Sequence, residues 1–385
     1  MASDQQSDLI ILLPSRGLGG AEHYAVTVAT HCSLQGWSVS LVAPDPRTLN
    51  PIKARLDAAG VTLSQLPRAV RPNRGGRAQA LSDGVELAIS FAYLRWARPR
   101  AAMLVLPRQD ITLGTQLAAA AAGIPLTVVF QLAGRVMVQP RLKQRLYAWA
   151  RSRATWIAVS QQNARALAEG FGCSASEITV VYNGAHFDSR SKDQRSSPRP
   201  DGPVLLCVGR LAYQKGLDLL VQALPFVRRE FPTVRCLWAG EGELESELRT
   251  MIESYGLKEQ VTFLGKRTDI PRLLDECDLF VFPSREEGHP FALLEAMGSG
   301  AAVVASDAAG IPEIITSEVH GLLHRAGDAC DLMDKILIAL RDPASMQMMA
   351  KGAATRAGAF TEAKMLDETF SILQRGLQAE DVHAP

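Results

Sequence analysis

The chain has no C-x-x-C pair, no D-x-D pair and almost no net charge, with 41 Lys and Arg against 40 Asp and Glu in 385 residues. Each shortage removes a class of protein. Without cysteines at metal or redox spacing, Cys32, Cys173, Cys207, Cys236, Cys277 and Cys330 read as small core residues, and no disulfide or zinc staple is called for. The longest apolar tract, Leu117 to Phe130, is interrupted by Gly123, Pro125 and Thr127 and falls short of the ~20 residues a membrane helix needs. Aromatic residues make up 6% of the chain and are not interleaved with the basic ones, which argues against nucleic-acid binding. The first eight residues carry neither the basic nor the apolar stretch of a secretory leader, so a reducing, cytoplasmic setting is expected.

What is present is enough apolar residue, 47%, to fill a folded interior, and enough length for two domains. The charge is divided along the chain. Residues 1–185 carry 19 Lys and Arg against 10 Asp and Glu, a net of +9, whereas residues 203–385 carry 18 against 27, a net of −9. A basic first half is expected to meet an anionic partner or surface. Arg68, Arg71, Arg74 and Arg77 recur every third residue, and Arg95, Arg98, Arg100, Arg141, Lys143, Arg145, Arg151 and Arg153 add to them. An anionic membrane is one expected partner, and a plain solvated basic surface is the alternative.

Short apolar runs alternate with helical periodicity through most of both halves, the pattern of parallel sheets covered by helices. In the first half Asp8–Pro14, Trp37–Ala43, Leu126–Phe130 and Trp156–Val159 read as strands, and Ala21–Gln35, Arg141–Arg151 and Gln161–Gly170 as helices. No clear assignment emerges between Leu49 and Arg108. Residues 186–202, rich in Ser, Arg, Asp and Pro, break the pattern and read as a linker. The alternation resumes with strands at Val204–Val208, Val234–Ala239, Val261–Leu264, Leu279–Pro283 and Ala302–Ser306, and helices at Leu217–Glu230 and Leu244–Tyr255. The expected organisation is therefore a Rossmann-like domain over 1–185, a second over 203–360, and a C-terminal helix over 361–385 that packs back on the first.

Open parallel sheets bind ligands beyond the carboxyl ends of their strands, so the loops there carry the candidates. After the first strand, Gly17, Gly19 and Gly20 open a helix and aim backbone N–H groups at an anion. A dinucleotide fingerprint would need glycine where Glu22 stands, which weakens a nicotinamide-dependent oxidoreductase as an alternative. In the second half Gly209 and Arg210 end a strand and Lys215 precedes a helix, two cations suited to a diphosphate. In Glu287-Gly288-His289-Pro290-Phe291-Ala292-Leu293-Leu294-Glu295, a loop enters a helix expected near Phe291. Its first N–H groups suit a phosphate, and the two carboxylates suit hydroxyls on either side of it. His320 and His324 have H-x-x-x-H spacing without a partnering carboxylate, so no metal site is expected.

In order and spacing these segments resemble the retaining GT-B glycosyltransferases of family four, the glycosyl transferases group 1. The resemblance runs through Gly19-Gly20-Ala21-Glu22, Leu34 to Val39, Tyr182-Asn183-Gly184, Val208 to Leu211 with Lys215-Gly216, Phe282-Pro283-Ser284, the Glu287–Glu295 segment and Gly310 to Ile314. It implies two Rossmann-like domains facing a central cleft, the first taking the acceptor and the second a UDP- or GDP-linked sugar. Transfer would retain anomeric configuration, with no metal and no cofactor. Arg210 and Lys215 would hold the pyrophosphate, Glu287 the transferred sugar and Glu295 the ribose. Gly288 to Ala292 would line sugar and phosphate, and Gly19 and Gly20 would approach from the other domain. Base contacts are expected near Glu241, Gly265, Lys266 and Arg267. Many relatives carry a histidine where this chain has Gln131, which hydrogen-bonds but cannot move a proton near neutral pH. The resemblance further implies a glycan or lipid-linked acceptor and a place in lipopolysaccharide, glycolipid or exopolysaccharide synthesis, peripheral on the inner face of the membrane. A non-catalytic nucleotide-sugar binder would keep Arg210 and Glu295 and show no transfer.

Overall fold

Aliphatic runs with no polar residue between them need cover on both faces, and parallel sheets sandwiched by helices supply it. The computed structural model describes residues 7–15, 19–65, 76–109, 112–133, 136–187 and 201–381, without the side chains of 76–81 and 379–381. It divides into two units, Met1–Tyr182 with Ala363–Pro385, and Asn183–Glu362.

In the first unit β1 (Leu9–Leu12), β2 (Val39–Ala43), β3 (Thr62–Gln65), β4 (Ala101–Leu106), β5 (Leu126–Phe130), β6 (Ala154–Ala158) and β7 (Thr179–Val180) form one parallel sheet in the order β3-β2-β1-β4-β5-β6-β7. The connecting helices are α1 (Gly20–Leu34), α2 (Lys53–Ala58), α3 (Gly76–Ala97), α4 (Leu113–Ala122), α5 (Arg141–Arg151) and α6 (Gln161–Phe171). Their apolar faces close a core around Ile10, Leu104, Val128, Phe130, Trp156 and Phe171.

The second unit repeats the scheme with β8 (Val204–Val208), β9 (Arg235–Ala239), β10 (Val261–Gly265), β11 (Leu279–Phe282), β12 (Val303–Ser306) and β13 (Leu322–His324), in the order β10-β9-β8-β11-β12-β13. Helices α7 (Leu217–Glu230), α8 (Glu245–Ser254), α9 (Ile270–Glu276), α10 (Phe291–Gly298), α11 (Ile311–Ile314), α12 (Ala329–Arg341) and α13 (Pro343–Ala357) cover it. The last helix, α14 (Glu362–Asp381), lies in the first unit from Ala363 on. Its Thr369 hydroxyl meets the buried Tyr24 hydroxyl of α1 at 2.8 Å, and Phe370 packs on Trp37 with ring centroids 4.9 Å apart.

At two places the structure adds to the reading of the sequence. Between Leu49 and Arg108, where periodicity assigned nothing, the structure places α2, β3, α3 and β4. The run Ala101–Leu106 is buried on both faces and so has no period to detect. The chain also passes into the second unit at Asn183, ahead of the expected boundary at 185 and the expected start at 203, and stays there to Glu362. The reason is local. Asn183 donates its side-chain amide to the Glu287-loop carbonyl of His289 at 2.9 Å, and Ala185 pairs with Thr361. Most of the expected linker, 188–200, lies outside the described residues, as do Arg68, Arg71 and Arg74.

All six cysteines are free; four are buried, Cys173 is half-buried and Cys330 is exposed. Among the described residues no helix is long and apolar enough to cross a membrane.

Candidate functional site

In the second sheet the chain runs outward from β8 to β10 and then returns to β11, so the strand order reverses between β8 and β11. At such a switch point the two following loops diverge and leave a crevice at the carboxyl edge. Gly209 and Arg210 leave β8 there, and Pro283 to Pro290 leave β11. One pocket between them is lined by Gly209, Arg210, Lys215, Trp238, Phe282 and Ser284, among others.

The two loops are laced together. Gln214 donates its side-chain amide to the Glu286 carbonyl at 2.8 Å and accepts the Arg285 N–H at 2.7 Å. Arg285 grips Asp218 through two bonds of 2.6 Å and lies over the Tyr213 ring. Gly216 adopts φ +65°, and a Cβ there would collide with the Pro283 carbonyl, so only glycine lets these loops approach. Lys215 reaches across to Glu287, Nζ to Oε1 at 2.6 Å, with its ammonium 5.3 Å from the Phe282 ring centroid. Glu287 is 5% exposed. Instead of two unengaged cations, the site therefore holds one ion pair and one exposed guanidinium. Arg210 has no carboxylate partner among the described residues.

Helix α10 starts at Phe291, behind Pro290, and no side chain caps it. The N–H groups of Ala292 and Leu293 have no acceptor among the described residues, which leaves the positive end of the helix directed at the loop. Glu295 lies in its second turn. Burial, reinforced by the nearby Glu362 carboxylate, pushes the Glu295 pKa up to about 7. The His289 ring is 1% exposed and packs edge-on to Phe360, and burial lowers its pKa to about 3, so it is a neutral, packed side chain.

Glu241 is also drawn to this edge. Its carbonyl accepts the Leu211 N–H at 3.0 Å and its carboxylate faces the Lys266 N–H at 3.4 Å, while the Gly240 N–H bonds the Gly265 carbonyl at 2.8 Å. Arg267 is committed to Asp269 by contacts of 2.6 and 2.8 Å. The spacing of His320 and His324 is spent locally, since His320 Nδ1 accepts the Thr316 N–H at 3.1 Å and His324 Nδ1 lies 2.9 Å from the Arg325 carbonyl.

The family described as Glycosyl transferases group 1 matches residues 188–356, and the one described as Glycosyltransferase Family 4 matches residues 18–188. The chain belongs to the group 1 glycosyltransferases. It is 35% identical over 169 residues to the amylovoran biosynthesis glycosyltransferase AmsK of Erwinia amylovora, covering 41% of this chain and 40% of that protein. It is 34% identical over 179 residues to the N,N'-diacetylbacillosaminyl-diphospho-undecaprenol alpha-1,3-N-acetylgalactosaminyltransferase of Campylobacter jejuni, covering 46% and 44%. The chain thus spans less than half the length of these curated relatives. The structure of HepE from Anabaena, solved in complex with UDP, superposes with a TM-score of 0.73 at 22% identity over 96% of this chain and 100% of that one, which shows the shared GT-B fold.

Three candidates of this group 1 glycosyltransferase lie in the first unit, at the carboxyl edge of its own sheet. Gly19 and Gly20 begin α1, and the Gly19 N–H is already taken by the Glu22 carboxylate at 2.7 Å, so Glu22 caps its helix where a fingerprint glycine would stand. Residues 16–18 lie outside the described ones. Gln131 is buried directly after β5, with its backbone N–H on the Leu106 carbonyl at 2.9 Å. Sequence reasoning missed Gln214, Asp218 and Arg285, which brace the loops, and singled out Asn183 only as part of a family segment, without its bond to the His289 carbonyl. The only available signal was that Arg285 adjoins a motif, since its partner is 67 positions away.

Proposed function

We propose that this chain transfers a glycosyl group from a UDP- or GDP-linked sugar to a glycan or lipid-linked acceptor, with retained anomeric configuration and without a metal ion or cofactor. The products would be lipopolysaccharide, glycolipid or exopolysaccharide, made at the inner face of the membrane. The observation that carries this reading is the exposed Arg210 guanidinium beside the Lys215–Glu287 pair and the uncapped start of α10, all at one switch point. As the sugar leaves, charge grows on the diphosphate oxygen. A guanidinium, an ammonium and helix N–H groups fixed in place stabilise that charge without reorganising. Glu287 accepts hydrogen bonds from sugar hydroxyls and Glu295 pairs with the ribose. Gly288 to Ala292 line sugar and phosphate. Glu241, Gly265 and Lys266 are the base-side candidates. Retention and freedom from metal rest on the family likeness. The names of AmsK and the Campylobacter relative support polysaccharide or polyprenyl-linked acceptors.

The test is thermal unfolding in the presence of UDP-, GDP- and ADP-sugars. A donor at 100 times its dissociation constant adds about 2.7 kcal/mol, and one nucleotide series is expected to do so. No shift with any of them would reject the reading. Binding without transfer to any lipid-linked or glycan acceptor would instead indicate a non-catalytic binder.

A further inference from the structure

We propose that Arg285 is a positioning residue for the transfer step, whose clasp on Asp218 keeps the two donor-side loops in register once the donor has drawn Lys215 away from Glu287. This rests on the reading above that the edge takes a nucleoside diphosphate sugar, and it gives a role to side chains that the reading leaves without one.

The β8–α7 loop carries Arg210 and Lys215, and the β11–α10 loop carries Glu287 and leads into α10. A leaving diphosphate is stabilised where the cations of the first loop and the N–H groups of the second converge on it, so the spacing of the loops is part of the reactive geometry. In the structure Lys215 and Glu287 tie the loops together at 2.6 Å. Both, however, are side chains that the donor needs. As the ammonium turns to the diphosphate and the carboxylate to the sugar hydroxyls, that tie is given up.

A second set of contacts then remains, and it uses no group assigned to the donor. Arg285 meets both carboxylate oxygens of Asp218, the second residue of α7, at 2.6 Å each, and donates to the Tyr213 carbonyl at 3.0 Å. Its guanidinium also lies 4.1 Å from the Tyr213 ring centroid. Tyr213 and Asp218 stand on either side of Lys215 in the sequence, so one guanidinium grips both ends of the short segment that presents the ammonium. A two-pronged contact of this kind sets direction as well as distance. With side chains 14% and 22% exposed, the pair is screened less by water and salt than a surface pair.

The test is thermal unfolding of the full chain with and without UDP, GDP and inorganic pyrophosphate, together with donor KM and the initial rate of UDP or GDP release from the sugar donor. Asp218→Asn with Arg285→Gln removes the charged clasp without stranding either partner. Because Lys215 and Glu287 still tie the empty loops, the midpoint without ligand should stay near that of wild type. Binding of the nucleotide that stabilises wild type should weaken about 10-fold, and kcat/KM should fall on the order of 10²-fold. Arg285→Lys keeps the charge beside Asp218 but lacks the planar fork, and it should recover only part of that loss. The proposal is overturned if the double variant binds nucleotide and turns over like wild type, if Arg285→Lys is fully active, or if the double variant loses stability when empty yet keeps the wild-type ligand shift and kcat/KM, the mark of a purely structural contact. Each of these leaves the wild-type nucleotide shift, and the reading it tests, standing, whereas a wild type shifted by no nucleotide would remove both.

Discussion

Arg210 and Lys215 look alike in the sequence and differ in the structure. Arg210 is exposed without a carboxylate partner among the described residues, whereas Lys215 neutralises the buried Glu287 at 2.6 Å. Their alanine or methionine variants should therefore separate stability from turnover. Arg210→Ala is expected to leave unfolding within about 0.5 kcal/mol of wild type and to lower turnover on the order of 10²-fold. Lys215→Met strands a buried carboxylate and should cost about 2–4 kcal/mol; adding Glu287→Gln should restore most of that stability but not activity. Urea unfolding and initial rates of the three variants check this, and wild-type stability in Lys215→Met would dissolve the distinction. Glu295 makes a second residue-scale prediction. Its pKa is raised from 4.5 to about 7 by burial, with Glu362 adding repulsion. A carboxyl held protonated by the fold costs nothing below its unfolded pKa, costs progressively more as pH rises through the interval, and costs most above the folded pKa. Wild type should lose stability between about pH 5 and pH 8, and Glu295→Gln should flatten that slope and be the more stable protein at the alkaline end. An unchanged slope in urea titrations of the variant would assign the pH dependence elsewhere.

At the scale of elements, the site depends on how closely the β8–α7 and β11–α10 loops approach. Gly216 is where they touch, with φ +65° and the Pro283 carbonyl in the place of a Cβ. Gly216→Ala should cost about 2 kcal/mol or more through strain and the pushed-apart loops, and it should raise the donor KM because Lys215 sits one residue away. Unfolding midpoint and KM measured together test this; a silent substitution would mean the loops tolerate separation. Elements with period or clear borders were legible in the sequence: α5 and α7 and strands β5 and β8 match their apolar patterns residue for residue. The start of α10 at Phe291 was legible because a proline precedes it. Strand β4 and helix α3 were not, since a strand buried on both faces has no alternation and α3 mixes small, polar and apolar residues along its 22 positions.

Over the whole molecule, net charges of +9 over residues 1–185 and −9 over 203–385 are properties of composition alone. So is the existence of two parallel α/β units, because alternating aliphatic runs and amphipathic segments leave few other ways to bury apolar surface. Glycines and charges at the ends of β8 and β11 also placed the candidate residues at the carboxyl edge, because sheet topology forces those loops to that side. Tertiary structure alone decided how the marked residues are used. It paired Lys215 with Glu287 across 72 positions, braced Arg285 against Asp218, buried the His289 ring, and turned Leu142, Leu146 and Trp149 outward on α5. Ion pairs between distant residues and the direction a side chain faces depend on which surfaces meet in space, and no local pattern encodes that.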